Sequence, residues 1–549
     1  MPEAGRTTKP SVLLAFRSAV TLHRLLDVLP VFEGDDRIDR WFTLVPGSEF
    51  DMDALAALDR SGARVMDFEQ AREHHFDLII FASPKGALTS LSARSKALLP
   101  HGAGFNKTFH DEGSPGIPSG LDPAFLLEDG EPWADLHGLG HGSELARLAE
   151  HCPQSVPKAV VVGDPTLDRL RDSLGLRERY RTDLGVDDQT LLAVLSTHGD
   201  ESLLARHHDL PLELTLRLPV DSYRVALVIH PNKVSEKGLQ NLAEYLLPAQ
   251  RAGLLLPSSY QEWASVLIAA DAVLTDHGST ALYAAALGHA VILDGYDGGT
   301  ELIPGTPMAQ LLAAAPRFTR ASELPELLRK ATGPDPSEFT AETFAHPDRA
   351  LPLLRTELYR LLDLTPPRTP PKPRLLPPPV APHAPASSLA VRAEVEGRRV
   401  RVERFPNSTE LPFHHRVAHH GAVGFAEQRS AEVLWRRPGT GRWSVAGWTA
   451  HVLDELPSCR IAAALLSPER CLLVHRHHGA FALRVPPHRA DGRIRRIDPA
   501  AAVSAVYAWL VAHPRLAGEL PVDIECTVDT VTVRLELGAA DPEELEAEL

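Results

Sequence analysis

Through the first two thirds of the chain, short unbroken apolar runs alternate with stretches of helical periodicity. SVLLAF (Ser11–Phe16) has no polar interruption and predicts a strand buried on both faces, whereas the apolar positions of Ala19–Phe32 recur at helical spacing. RWFTLVP (Arg40–Pro46) predicts the next strand, and DMDALAALDRSG a helix stopped by Gly62. ARVMDF, FDLIIFAS, KALLPHG and KAVVVGD (Lys158–Asp164) supply further strands. The pattern then restarts with two strands that have polar exits, TLLAVLSTHGD (Thr190–Asp200) and YRVALVIHPNK (Tyr223–Lys233). SEKGLQNLAEYLLPAQRAG predicts a helix leading to LLLPSS, YQEWASVLIAAD a helix, AVLTD a strand, GSTALYAAALG a helix ended by Gly288, and HAVILDGYD a strand. PMAQLLAAA, SELPELLRKA and the amphipathic PDRALPLLRTELYRLLDL (Pro347–Leu364) complete the helices. Such alternation predicts parallel sheets covered on both faces: two doubly wound, Rossmann-like α/β domains in series, with a cleft between them.

A composition shift marks the end of this architecture. Leu364–Ser388 carries ten prolines between Pro366 and Pro385, which favours extended chain and predicts a semi-rigid tether. Beyond it, LAVRAEVEGRRVRVERF, GAVGFAEQRSAEVLWRR, RIAAALLS and ERCLLVHRHHGAFALRV alternate as strands do. AAAVSAVYAWLVAHP predicts a helix, and VDIECTVDTVTVRLEL a closing hairpin around Asp529. The expected domains are therefore residues 1–185, 186–363 with the terminal helix, a linker at 364–387, and an accessory α+β domain at 388–549.

A length of 549 residues suits two to four domains. No apolar run reaches the roughly 20 residues of a membrane span, and the N-terminal apolar stretch is too short for a signal peptide, so a cytoplasmic address is expected. The net charge of −16, from 56 basic and 72 acidic residues, argues against a general nucleic-acid binder. Cys152, Cys459, Cys471 and Cys526 lie far apart with no C-x-x-C pair, which predicts buried or incidental thiols. Abundant Ala, Arg, Leu and Pro with little Lys suggests a GC-rich genome.

In open α/β sheets, ligands bind outside the carboxyl ends of strands. Four polar exits stand there: His101-Gly102, His230-Pro231-Asn232, Asp276–Thr280 and Asp294–Asp297. The third is an apolar strand that stops on small polar residues and turns at once into a helix, the usual construction of an anion site. Free N–H groups and the positive helix end, roughly half a charge, face whatever binds. Asp276 serves either as a helix cap or to orient His277 or a sugar. STHGDESL (Ser196–Leu203) reads either as a phosphate contact through Thr197, His198 or Gly199, or as an ordinary loop and cap. HGAGFNKTF (His101–Phe109) fails the P-loop pattern at both glycines, and GHGSEL (Gly140–Leu145) fails the nucleophile elbow. HHRVAHH (His414–His420) and HRHH (His475–His478) lack a Cys or carboxylate complement and read as surface loops and strand ends rather than metal sites.

These residues carry a family resemblance. Residues 1 to about 363 resemble a GT-B transferase of the CDP-glycerol glycerophosphotransferase kind and, more distantly, the UDP-N-acetylglucosamine 2-epimerases. His101-Gly102-Ala103 with Lys107 matches the family's H-G-T-x-x-K segment, and His230-Pro231-Asn232 its second-domain H-P element. Thr275–Thr280 stands at its T-D-Y-S-S element, and Asp294–Asp297 at its acidic and aromatic pair. Gly278 and Ser279-Thr280 replace the tandem serines, Ala103 the threonine, and the lysine spacing is looser; these departures bear on donor and acceptor rather than on fold.

The resemblance implies transfer of a glycosyl or polyol-phosphate group from a CDP- or UDP-linked donor to a hydroxyl acceptor, with no cofactor and no catalytic metal. The diphosphate would lie against Gly278, Ser279 and Thr280, with Thr197, Lys233 and Asp297 also on the donor side and His230 donating to the same phosphates. His101 would deprotonate the acceptor, a role that an imidazole of pKa about 6.5 suits, worth about 10²–10⁴-fold. The tail domain would recognise the acceptor or a protein partner. The alternatives are a nucleotide-sugar epimerase or hydrolase on the same fold, and a degenerate scaffold that binds nucleotides or carries the tail as an interaction module.

Overall fold

The computed structural model describes residues 9–47, 58, 62–108, 113–257, 262–296, 298–299, 301–380, 386–439, 443–490, 492–514 and 520–549. Apart from Leu58 and Gly62, the helix expected at DMDALAALDRSG lies outside the described residues, as does Asp297. The first sheet contains β1 (Ser11–Phe16), β2 (Asp39–Leu44), β3 (His75–Phe81), β4 (Ser92–Leu98), β5 (Leu136–Leu139) and β6 (Ala159–Val161). They are all parallel, in the order β2-β1-β3-β4-β5-β6. Its strands are apolar on both faces: Val12, Leu14 and Phe16 enter one core, Leu13 and Ala15 the other. The expected strand at ARVMDF is only a single bridge, Val65 to Phe42, and β5, a run of just four residues, was not foreseen. Helix α1 (Ala19–Val28), capped by Ser18, covers the first of these faces.

The second sheet is also parallel: β7 (Thr190–Ser196), β8 (Tyr223–Ile229), β9 (Ala272–Thr275), β10 (Ala290–Asp294) and β11 (Arg317–Phe318), in the order β8-β7-β9-β10-β11. Together the two sheets form the two Rossmann-like lobes of a GT-B arrangement. Each lobe takes helical cover from the other's stretch of chain. Helix α2 (Pro165–Asp172) sends Leu167 and Leu170 into the second core, joined by Tyr180 and Leu184. After α3 (Thr280–Ala286), helix α4 (Ala350–Leu362) returns to pack Leu351, Leu354, Leu358 and Tyr359 against the first sheet. Asp168 of α2 accepts from the N–H groups of Asp348 (2.7 Å) and Ala350 (2.8 Å), tying the two crossing helices together.

The proline-rich segment is docked rather than free. Its carbonyls accept from Arg37 at Thr365 (2.8 Å), Arg169 at Arg374 (2.8 Å), Tyr180 at Leu376 (2.6 Å) and Ser265 at Pro377 (2.5 Å). Leu376 is buried in the second core.

Beyond it lies a closed barrel of β12 (Ser388–Glu396), β13 (Arg399–Pro406), β14 (His415–His419), β15 (Val433–Arg436), β16 (Ile461–Ser467), β17 (Arg470–His475), β18 (Gly479–Arg484), β19 (Val522–Val528) and β20 (Val531–Ala539). Helix α5 (Pro499–Ala512) is buried at every residue from Pro499 to Leu510 and packs with the inward-facing strand residues Val402, Ile461, Leu473 and Ile524. A helix apolar all round belongs inside a core, and the barrel is that core. The hairpin at Asp529 is present, with Asp529 at φ 53°. His415 and His475 sit at strand ends as expected, but buried rather than on the surface, and all four cysteines are buried and unbridged. No helix among the described residues is long and apolar enough to cross a membrane.

A buried ion pair of the first lobe meets the second through Tyr283. Arg24 of α1 forks onto Asp164 (2.8 and 2.7 Å), and both are nearly inaccessible. Arg24 Nε donates to the Pro100 carbonyl (2.9 Å), the residue before His101, and Tyr283 of α3 donates to Asp164 Oδ2 (3.0 Å). Burial drives the Asp164 pKa up, but the charge and hydrogen bonds of Arg24 outweigh it and leave it lowered. Arg24→Met strands that carboxylate and should cost about 3–5 kcal/mol in urea unfolding. Adding Asp164→Asn, which keeps an amide oxygen to cap α2 while removing the stranded charge, should recover a measurable part of the loss.

Candidate functional site

The strand order of the second sheet reverses between β7 and β9, so the exits of these strands diverge and leave a crevice. Asp276 organises it from below. Buried at 3% exposure, its Oδ2 accepts from the N–H groups of Thr197 (2.8 Å) and Leu203 (2.9 Å), and its Oδ1 from that of Gly278 (3.0 Å). Asp276 thus stitches two loops together and does not cap α3. This corrects the expected anion cradle, because the amide of Gly278 is already used, as is that of Thr197. The N–H groups of Ser279 and Thr280 have no partner among the described residues, and Ser279, in the capping position, makes no side-chain cap. Because α3 is only seven residues long, its dipole is a minor source of charge. His277 turns away from the cleft, buried, with Nε2 on Glu301 Oε2 (3.1 Å) and its ring edge-on to Tyr296. That hydrogen bond is the main reason the Glu301 pKa is lowered.

His230 closes β8 and caps the Pro231–Lys237 helix, its Nδ1 accepting from the Asn232 N–H at 3.2 Å. Burial, then His198, Lys107 and His101, push its pKa well below the usual 6.5. A neutral ring whose Nδ1 accepts must carry its proton on Nε2, so His230 offers a donor and not a base. His198 stacks on it with centroids 4.6 Å apart and meets Asn232 Nδ2 through Nε2 at 3.2 Å. Lys233 does not join them: its ammonium pairs with Glu236 at 3.2 Å on its own helix, and it is absent from the cleft wall.

The opposite wall is His101-Gly102, leaving β4, with Val20, His23, Arg24 and Asp27 of α1 beside it. The lips lie close together: a Cβ added to Gly102 would stand 3.2 Å from Ser279 Oγ. The His101 ring is open to solvent yet has protein around most of it. That desolvation, reinforced by the cations Lys85 and Arg24, lowers its pKa to about 4 and leaves it unprotonated at neutral pH. Arg17 and Lys85 gather behind it where the first sheet's order reverses, between β1 and β3. The chain after Gly102 crosses to the second lobe, with Thr108 N–H on Glu301 O (2.8 Å) and Ile303 N–H on Asn106 O (2.9 Å). Lys107 is thereby set beside Asp276 and Glu301.

One cleft of about 140 Å³ therefore gathers His101, Thr197, His230, Gly278, Ser279 and Thr280 from the sequence-derived set, without Lys233. Sequence reading passed over Arg24, Asp27, Trp263 and Tyr283, which also line it. Arg24 had left a trace, since a charge sits on the apolar face defined by Leu22, Leu25 and Val28. Among the described residues, no group of three or more His, Cys, Asp or Glu stands where it could hold a metal ion.

No family model matches the chain, and no curated protein does. Among solved structures, it is similar to the wall teichoic acid polymerase TagF at 12% identity, over 65% of this chain and 89% of that one, with a TM-score of 0.44. It is similar to the UDP-GlcNAc 2-epimerase of Methanocaldococcus jannaschii at 14% identity, over 64% of this chain and 99% of that one, TM-score 0.41. The UDP co-structure of S. aureus MnaA follows at 11% identity, over 66% and 100%, TM-score 0.40. A teichoic-acid polymerase and 2-epimerases are the two kinds of protein that the motifs of this sequence resemble.

Proposed function

We propose that the chain is a GT-B transferase that moves a glycosyl or polyol-phosphate group from a CDP- or UDP-linked donor to a hydroxyl acceptor. The observation that carries this reading is the opposition of two unlike neutral histidines across one cleft. His101, from the first lobe, is an open unprotonated ring, while His230, from the second, has its proton committed to Nε2. The pair sets a proton acceptor, weaker than a free imidazole but unprotonated at neutral pH, opposite a proton donor for a leaving phosphate. Residues 1–185 then carry mainly the acceptor side and residues 186–363 the donor side, with the Ser279 and Thr280 amides and the His230 imidazole on the diphosphate. Residues 388–549 take part in recognising the acceptor or a partner. An epimerase would need carboxylates at the sugar carbon, and Asp27, the carboxylate lining the cleft, is held by Arg169 (2.7 Å) and Thr166 (2.6 Å). With Gly102 so close to Ser279, donor entry would part the lips, and closure would follow binding.

His101→Ala should reduce turnover about 10²–10⁴-fold while leaving CDP or UDP affinity, measured by calorimetry, nearly unchanged. Loss of both would assign His101 to structure instead. Because its pKa is lowered, the base form persists in acid, so the low-pH limb of kcat/KM should break near pH 4 and not near 6.5. A limb at 6.5 that survives in His101→Ala would place the base elsewhere.

A further inference from the structure

A second cavity lies at the seam of barrel and second lobe, and no step of the transferase reading uses it. It is lined at the amino ends of β7 and β8 by Asp187, Gln189, Asp221 and Arg224, and from the barrel by Arg404, Arg437 and Arg495. These are the amino ends of strands whose carboxyl ends form the cleft. Seven residues at about 3.3 Å each put the two places roughly 20 Å apart. At about 460 Å³ this cavity is also the larger, against about 140 Å³ for the cleft.

Its charges are unevenly satisfied. Arg404 is paired twice, holding Asp221 at 2.9 and 2.5 Å and Asp498 at 2.8 Å, and it anchors the barrel to the lobe with the Val220 N–H on its carbonyl. Arg437 and Arg495 reach Asp498 and Asp188 only at 3.7 Å, and Arg496 reaches Glu469 at 3.2 Å. At the hairpin tip, Asp529 Oδ2 accepts from Thr530. Arg224 is different. It is 7% exposed, its Nε is buried without a partner, and among the described residues its side chain makes no hydrogen bond and no ion pair within 4.0 Å. Burial lowers its pKa, opposed by the charge of Asp187. A guanidinium does not shed its proton at ordinary pH, so an unpaired buried one is a standing cost that an incoming anion relieves.

We infer that this cavity binds a small aliphatic oxyanion compound, its phosphate or carboxylate paired with Arg224 and supported by Arg437 and Arg495. Among the described residues no aromatic side chain lines the cavity, and they offer no stacking platform for a nucleotide base, unlike the cleft with its Trp263 and Tyr283. A ligand there touches lobe and barrel at once and holds them together.

The test is calorimetry of the full chain with inorganic phosphate, pyrophosphate and succinate in turn; phosphate against succinate distinguishes the two sources of oxyanion. At least one should bind in the millimolar range or tighter, and Arg224→Gln should weaken it at least about tenfold. His101→Ala, in the other site, should bind it as the unaltered chain does. Without ligand, Arg224→Gln should unfold at the same temperature or higher, since it removes an unpaired charge; with ligand, only the unaltered chain should gain. If Arg224→Gln does not fold, Arg437→Gln should still weaken binding severalfold. No binding of any probe, or equal binding to every variant, would overturn the site.

Discussion

At the centre of the contact between the two lobes is a buried fork, Arg24 on Asp164 in the first, which Tyr283 of the second reaches through Asp164. From it contacts run in three directions: back to Pro100 and so to His101, down to Thr166 and the start of α2, and across to Tyr283 on α3, the helix that Thr280 begins. The two histidines of the cleft come from different sheets, and their opposition depends on this shared reference point. A buried ion pair contributes little net stability, because the desolvation of both charges offsets their attraction. What this one supplies is registration.

Much of the lobes was legible because the physics is local. A strand buried on both faces must be apolar along its length, and β1, β7 and β9 read that way at sight. The site was legible for a related reason: in such sheets the ligand lies at the carboxyl ends of strands, so His101, His230 and the loop after β9 could be picked from their place after an apolar run. What could not be read was who bonds to whom. Asp276 looked like a cap and Lys233 like a phosphate ligand, yet the first spans two loops distant in sequence and the second is held by a neighbour on its own helix. The exchange of α2 and α4 between lobes is likewise invisible along the chain, since an amphipathic helix does not say which sheet its apolar side will meet.

The last domain shows the same division. α5 carried its signal openly: from Ala500 to Leu510 it has no polar face, which requires enclosure on every side. The enclosure is a long-range matter. Barrel closure rests on pairings such as β13 beside β19, across more than a hundred residues of sequence, and no local pattern records them. His415 was misplaced for that reason, as a histidine at a strand end is outside or inside depending on which strand comes to lie beside it. With the lumen filled by α5, anything that the barrel recognises must meet its outer wall or the seam with the lobe.

The docked proline segment limits how the molecule can move. It runs from contacts with Arg37 on the first lobe to contacts with Tyr180 and Ser265 on the second, and Leu376 along it reaches the wall of the cleft. Proline fixes φ and has no N–H to exchange between partners, so the segment holds no coiled length to pay out. Pulling the lobes straight apart would break its carbonyl contacts in sequence, whereas swinging one lobe about this belt leaves them intact. The cleft should therefore gape like a hinged shell along its free edge.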